Sequence, residues 1–444
     1  MWDVIVAGGG VSGCIAALAA ARGGAKTLLI ERYGFLGGTL TNAGVGPMMT
    51  FHAGERQVVG GIAQELVDRL AERRACLGHI RDTTGYVFTV TPFDAEQLKF
   101  VLDQMMQESG VEVLLHTMLA KASAHDGLLR AVTVCNKAGL TQLEGRIFVD
   151  ATGDGDLAYF TGACVKMGRD EDGLCQPMTT NMKLGGVDVG RIRAEIRRSP
   201  DNFNVKDLSL LEKAPRLSMA GFYREFDTAK AAGEISTPRE DVLLFETVNP
   251  GEVIVNTTRV LRLSATDPWQ LSQAEREGRK QAHELFAFFK KRCAGFEDAV
   301  FLSTGVQIGV RESRRVMGRY LLTAEDILSP QGLADAVALG GYPIDIHNPA
   351  GAATHTTHLR QGQHYAIPYG CLVAQSPQNL LVSGRCLSAT HEAGAAVRVT
   401  PIAMATGQAA GAAAALCIRE GCLPGQVDIR ALRKRLACGR AILE

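Results

Sequence analysis

The stretch DVIVAGGGVSGCIAALAAARGGAKTLLIE, residues 3–31, constrains this chain more than any other segment. An apolar run at Val4, Ile5 and Val6 leads directly into Gly8, Gly10 and Gly13. A small-residue helical segment follows, and a second apolar run, Thr27 to Ile30, ends on Glu31. Gly8 permits a tight turn, Gly10 leaves room for a pyrophosphate against the backbone, and Gly13 lets the helix sit close on the strand. The helix N-terminus then offers unpaired N–H groups and the positive end of a dipole to phosphate. Glu31, 21 residues beyond Gly10, stands where an acidic side chain takes a ribose hydroxyl. With 49 glycines in 444 residues, GxGxxG alone would arise by chance. Strand, turn, helix, strand and acid in this order specify a βαβ unit for the ADP half of a dinucleotide, with NAD and FAD equally open.

The length predicts two or three folding units. Hydrophobic residues make up 46% of the chain, and a mean hydropathy near zero describes a soluble globular protein. Lys+Arg and Asp+Glu number 47 each, which gives no electrostatic case for nucleic acid or an anionic membrane surface. Eleven scattered cysteines include no CxxC pair, so zinc knuckles and iron–sulfur clusters lack their usual signature and no metal is expected. Free thiols, and a first strand without a basic leader before it, point to the cytoplasm. Residues 401–418 are nearly uncharged, and Gly407 and Gly411 form GxxxG. Their Ala/Gly composition, Gln408 and an initial proline predict a close-packed buried helix rather than a membrane span.

Ile62, Leu66 and Leu70 mark one helical stripe. Asp94 caps a second helix, with Gln97 as reciprocal partner, and VEVLL (111–115) reads as a parallel strand. Residues 129–149 form a β-meander turned at Lys137-Ala138-Gly139, which feeds IFVDATGDGD. From 161 to 345 charge increases, strands are expected at 242–248 and 251–260, and a polar helix at 270–291. The alternation Val306, Ile308, Val310 predicts a strand that puts Arg311 and Arg315 on one face. The most economical division is a dinucleotide domain in two parts, 1–160 and 365–423, interrupted by a substrate or cap domain at 161–364. A C-terminal helix at 424–444 completes it.

Five segments carry a resemblance to a known family: VAGGGVSG, ERYGFLGGTLTNAG, VDATGDGDLAYFTGA, GVRESRRVMGRYLLTAEDI and NLLVSGRCLSATHEAGAAVRVTPIAMATGQAAGAAAAL. The chain resembles flavin-dependent oxidoreductases of the glutathione reductase-like superfamily. More narrowly, it is similar to the FAD-dependent oxidoreductase family that includes the heterodisulfide reductase flavoprotein, and more distantly to fumarate reductase flavoproteins. The resemblance implies bound FAD and an α/β fold: a glutathione reductase-type Rossmann-like domain, parallel sheet plus meander, with an inserted β-rich α+β substrate domain. It implies that Gly8, Gly10, Val11, Ser12 and Gly13 hold the pyrophosphate, and that Glu31, with Arg32 beside it, binds the adenosine ribose. Gly37, Gly38 and Thr39 would line the ribityl and ring region, and Leu119 would meet the adenine. Ala151, Thr152, Gly153 and Asp156 form the second flavin segment. Gly384 and Arg385 would sit near the ribityl chain, and the helix start at Thr400, Ile402 and Ala403 near the flavin pyrimidine. There is no second dinucleotide unit and no CxxxxC beside the first helix. The electron donor or acceptor is therefore the substrate itself or an unidentified diffusible molecule.

The expected activity is hydride transfer between a small organic substrate, carboxylated where arginines hold it, and flavin N5. The alternative is an accessory electron-transfer subunit or a non-redox flavin-dependent isomerase. His391, with Glu392 to orient it, is the first candidate for substrate chemistry. Arg398 and Arg311 could clamp a carboxylate, and His52 and Tyr365 complete the catalytic candidates. His355 and His358 have metal-compatible spacing without further ligands. Homo-oligomerisation is left open.

Overall fold

Val4, Ile5 and Val6 have no polar alternation, as a strand buried on both faces requires. In the computed structural model, which describes residues 1–205, 207–330 and 334–444, the strand Trp2–Ala7 is central to its sheet. It pairs in parallel with Thr27–Ile30 on one side and with Gly145–Asp150 on the other. Glu112–Leu114 and Leu380–Val382 extend the parallel sheet at its two edges. The early half of the long strand Gly139–Asp150 turns away and pairs antiparallel with Leu128–Asn136, which in turn pairs with Met118–His125. One strand thus belongs to both the parallel sheet and the meander.

Two helices cross this sheet in close contact, Val11–Arg22 and Thr400–Glu420. A Cβ at Gly407 would stand 2.2 Å from the Ser12 carbonyl oxygen, and one at Gly411 2.0 Å from that of Ala16. The GxxxG stripe is therefore the seam between them. Thr400–Glu420 is long and apolar enough to cross a bilayer, and the fold buries 89% of its most apolar window.

The apolar core around the sheet takes residues from Val4 to Ala158 and again from Val316 onward. A second core lies between them in sequence. Five antiparallel strands, in spatial order Ser218–Gly221, Val242–Glu246, Val253–Val255, Met182–Gly185 and Val300–Thr304, pack against the helix Pro268–Arg292. Phe226, Phe288, Phe289 and Phe296 fill the space between sheet and helix.

Three local expectations change. Asp94 caps its helix through the N–H groups of Glu96 and Gln97, but the Gln97 side chain accepts from Arg73 Nε instead of returning to the cap. The strand expected over 251–260 narrows to Val253–Val255. The residues around Val306, Ile308 and Val310 form no strand; the chain is extended only at Val300–Thr304 and Arg314–Val316. Arg311 and Arg315 consequently point to different places.

Candidate functional site

A cavity of about 590 Å³ lies beyond the C-terminal ends of the parallel strands, between the sheet and the inserted strands. This is where an open α/β sheet places its ligands. One end is lined by Gly8, Gly10, Val11, Ser12, Glu31, Arg32, Gly38, Thr39, Ala151, Thr152, Gly153, Gly384, Arg385, Thr400 and Ala403. The other is lined by Tyr86, Arg239, Arg259, Arg311, Tyr342, Asp345, His347 and Arg398.

The glycine end is shaped by backbone. Gly8 has φ +100°, and a Cβ there would meet the Ala151 carbonyl oxygen at 2.5 Å. Gly13 packs closer still, its hypothetical Cβ 1.8 Å from the Gly8 oxygen, so it sets the helix against the strand without lining the cavity. Gly10 is different: its backbone is extended, and a Cβ would find only the Gly38 Cα, 3.8 Å away. Gly37 lies just behind the wall, its N–H donated to the Gly9 carbonyl at 2.9 Å.

Glu31 is buried, which pushes its carboxyl upward from the ordinary value, and it accepts the N–H of Gly9 at 2.6 Å and of Tyr33 at 2.9 Å. Arg32 donates to Gln307 Oε1 at 2.6 Å and Tyr33 donates to the same oxygen, tying this end to the insert. Ser12 donates to Ser383 Oγ at 2.8 Å, joining the first and last sheet segments. Arg385 pairs with Asp154 at 2.8 Å and donates to Ser313. Asp150 caps the turn before them by accepting from Thr152 and from the Ala158 N–H, and burial raises its carboxyl to about 6.

Side chains dominate the other end. Asp345 accepts from Tyr342 Oη at 3.1 Å, lies 3.3 Å from His347 Nε2, and is 3.7 Å from Arg398. Burial opposes its ionisation, but the bond from His347 and the charge of Arg398 outweigh that and hold it below the carboxylate range. His347 Nδ1 faces Arg259 Nη2 at 3.0 Å. A guanidinium can only donate, so His347 accepts there and carries its proton on Nε2. Burial, with Arg311 nearby, lowers its pKa to about 3, so the ring is neutral. Burial, reinforced by the charges of Arg398, Arg259 and Arg239, pulls the Arg311 guanidinium well below its ordinary value.

Several predicted site residues lie elsewhere. His391 is buried outside the cavity, and its Nδ1 is 2.9 Å from Glu312 Oε1, not from Glu392. Glu312 also pairs with Arg315, which donates to the Ala389 and Gly168 carbonyls. His52 faces Thr89 and packs edge-on to His79. Tyr365 is fully buried against Gly340. Leu119 pairs with Val134 in the meander, Asp156 is held by Arg314 at 2.8 Å, and Ile402 is in the core. None of these lines the cavity. His358 sits edge-on to Tyr86, and no metal-binding cluster occurs among the described residues. Asp345, Tyr342, Arg259 and Arg239 were not singled out from the sequence. The available signal was Asp345 and His347 two apart in IDIH, a spacing that on a strand puts both on one face.

A βαβ turn, a second glycine segment and a helix start around one cavity define a dinucleotide-binding oxidoreductase architecture. The chain belongs to the FAD dependent oxidoreductase family, whose model matches residues 3–436, and FAD is its cofactor. No curated protein matches the chain. Among solved structures it is similar to a p-nitrophenol 4-monooxygenase from Pseudomonas putida DLL-E4, at 10% identity over 99% of this chain and 85% of that one, with a TM-score of 0.50. It is also similar to a geranylgeranyl bacteriochlorophyll reductase-like protein from Thermoplasma acidophilum, at 12% identity over 99% and 82%, with a TM-score of 0.46. At 10% identity the likeness to the monooxygenase is one of fold alone.

The residues present fit FAD. The side of Gly10 is open, so phosphate can approach the backbone. Asn42 Oδ1 and Asn181 Oδ1 belong to cavity-lining residues and are buried without partners, acceptors suited to N–H donors. The helices beginning after Gly10 and Val399 have no side-chain cap, which leaves first-turn N–H groups for a ligand.

Proposed function

We propose that this protein transfers a hydride between a small organic acid and bound FAD, in a glutathione reductase-type arrangement with residues 161–364 as the cap. The observation that carries this reading is one continuous cavity joining the glycine cradle to a cluster of four buried or half-buried arginines. Gly8, Gly10, Val11 and Ser12 would hold the pyrophosphate and Glu31 the adenosine ribose. Thr39, Thr152, Gly153, Gly384 and Arg385 would lie along the rest of the cofactor. Bound FAD supplies a two-electron acceptor or donor for a substrate carbon.

The protein's own contribution is charge and position. The helix start at Thr400 stabilises negative charge that develops beside it. Arg311 and Arg398 orient the acid, and the Tyr342–Asp345–His347 network keeps the facing wall rigid. Because both nitrogens of His347 are engaged, it acts as a positioning residue.

Anaerobic mixing of the FAD-loaded protein with a panel of small organic acids tests the reading. Loss of the oxidised flavin band, or its return when reduced protein meets an unsaturated or oxo acid, is expected. Turnover with a flavin whose spectrum never changes would instead identify a non-redox role.

A further inference from the structure

We propose that the cap end of the cavity binds a small molecule carrying two negative charges, held by Arg311 and Arg398. This deepens the preceding reading and rests on it only in taking that molecule as the substrate.

Four guanidinium groups, those of Arg239, Arg259, Arg311 and Arg398, line this end. Arg239 has a full partner in Asp241 at 2.9 Å. Arg259 is spent on structure: it donates to the carbonyls of Gly351, Ala352 and Ala353, to Thr354 Oγ1 and to His347. It thereby latches the hairpin of Ile344–His347 and Thr354–Thr357 over the cavity.

Arg311 and Arg398 remain. Arg311 donates to the Pro177 carbonyl at 2.8 Å, to Thr179 Oγ1 and to Asn256 Oδ1 at 3.3 Å, all of them neutral. The nearest carboxylate to Arg398 is Asp345, at 3.7 Å, and Arg398 Nε is buried with no partner. The other carboxylates nearby do not make up the deficit. Asp82 is occupied by Thr84, Tyr86 and Val87 of its own loop, and Glu240 is exposed.

Four cations therefore face two contacting carboxylates, Asp241 and Asp345. Arg311 and Arg398 are half-buried, and a guanidinium largely withdrawn from water without a counter-ion is costly. A singly charged ligand would leave one cation unmatched, whereas a dianion matches both. The planar guanidinium fork suits two-oxygen groups, carboxylate or phosphate alike.

Calorimetric titration of the FAD-loaded protein at fixed ionic strength tests this, with succinate against butyrate and glycerol 3-phosphate against its methyl phosphodiester, a monoanion. At least one dianion is expected to bind about tenfold or more tighter than its partner, and Arg311→Gln to remove that preference. Success of the succinate arm places the charges on two groups, and success of the phosphate arm places both on one. Equal affinity within each pair, or no measurable binding of any anion, overturns the proposal. The wild-type comparison stands even where a variant fails to fold. Heat of binding does not depend on flavin bleaching. Dianion binding without redox change would remove the hydride reading alone, and bleaching by a monocarboxylate with no dianion preference would remove this one alone.

Discussion

At the glycine end of the cavity a ligand is positioned by backbone and by the absence of side chains; at the cap end it is met by buried charge. The first end depends on contacts such as that of Gly13 with the Gly8 carbonyl, where no atom can be added. The second depends on Arg311 and Arg398, whose guanidinium groups have carbonyls, a hydroxyl and one distant carboxylate as partners. The difference separates two kinds of failure. Changes at the glycine end should cost fold or cofactor, and changes at the cap end should cost substrate.

The largest expected effect is that of Gly13→Ala. Its Cβ would sit 1.8 Å from the Gly8 oxygen, so the helix cannot stay on the strand, and circular dichroism should show loss of cooperative unfolding. Gly10→Val sharpens the contrast, because its Cβ meets nothing closer than 3.8 Å. That variant should fold with a near-native Tm and yet lose FAD affinity by about 100-fold or more, measured by flavin fluorescence. Arg311→Gln should retain FAD and lower kcat/KM by about 30-fold or more, the cost of removing one partner from a buried charged contact.

A smaller effect comes from the buried histidines. Burial lowers His347 to about 3 and His79 to about 4, so the folded protein keeps both neutral while the unfolded chain protonates them below the ordinary value of 6.5. Their contribution to stability is complete above pH 6.5 and is lost as the pH falls toward 3 to 4. The Tm should therefore drop on acidification through that window, and His79→Gln should flatten the slope. The smallest change is expected for His391→Gln, which should cost about 1–2 kcal/mol of stability through its bond to Glu312 and leave FAD affinity and KM unaltered.

The same contrast explains what could be read from the residues alone. Positive φ and close approach require glycine, and these requirements write Gly8, Gly10 and Gly13 into the chain at fixed spacing. The buried GxxxG helix and the meander were legible for similar local reasons. The cap end was legible only in Arg311 and Arg398. Tyr86, Arg259, Tyr342 and Asp345 come from separate segments, and only tertiary packing brings them together with the two arginines. His391 follows the Gly384–Arg385 cofactor segment closely in sequence, but as the first residue of the short helix His391–Val397 its ring is directed to Glu312. Arg315 was misassigned because the alternation at 306–310 comes from a loop.

Side-by-side FAD dissociation constants for the wild type, Gly10→Val and Arg311→Gln test the separation of the two ends most directly. Loss of FAD binding in Gly10→Val alone, with Arg311→Gln within about threefold of wild type, is the predicted result. FAD retained by Gly10→Val, or lost equally in both variants, would contradict it.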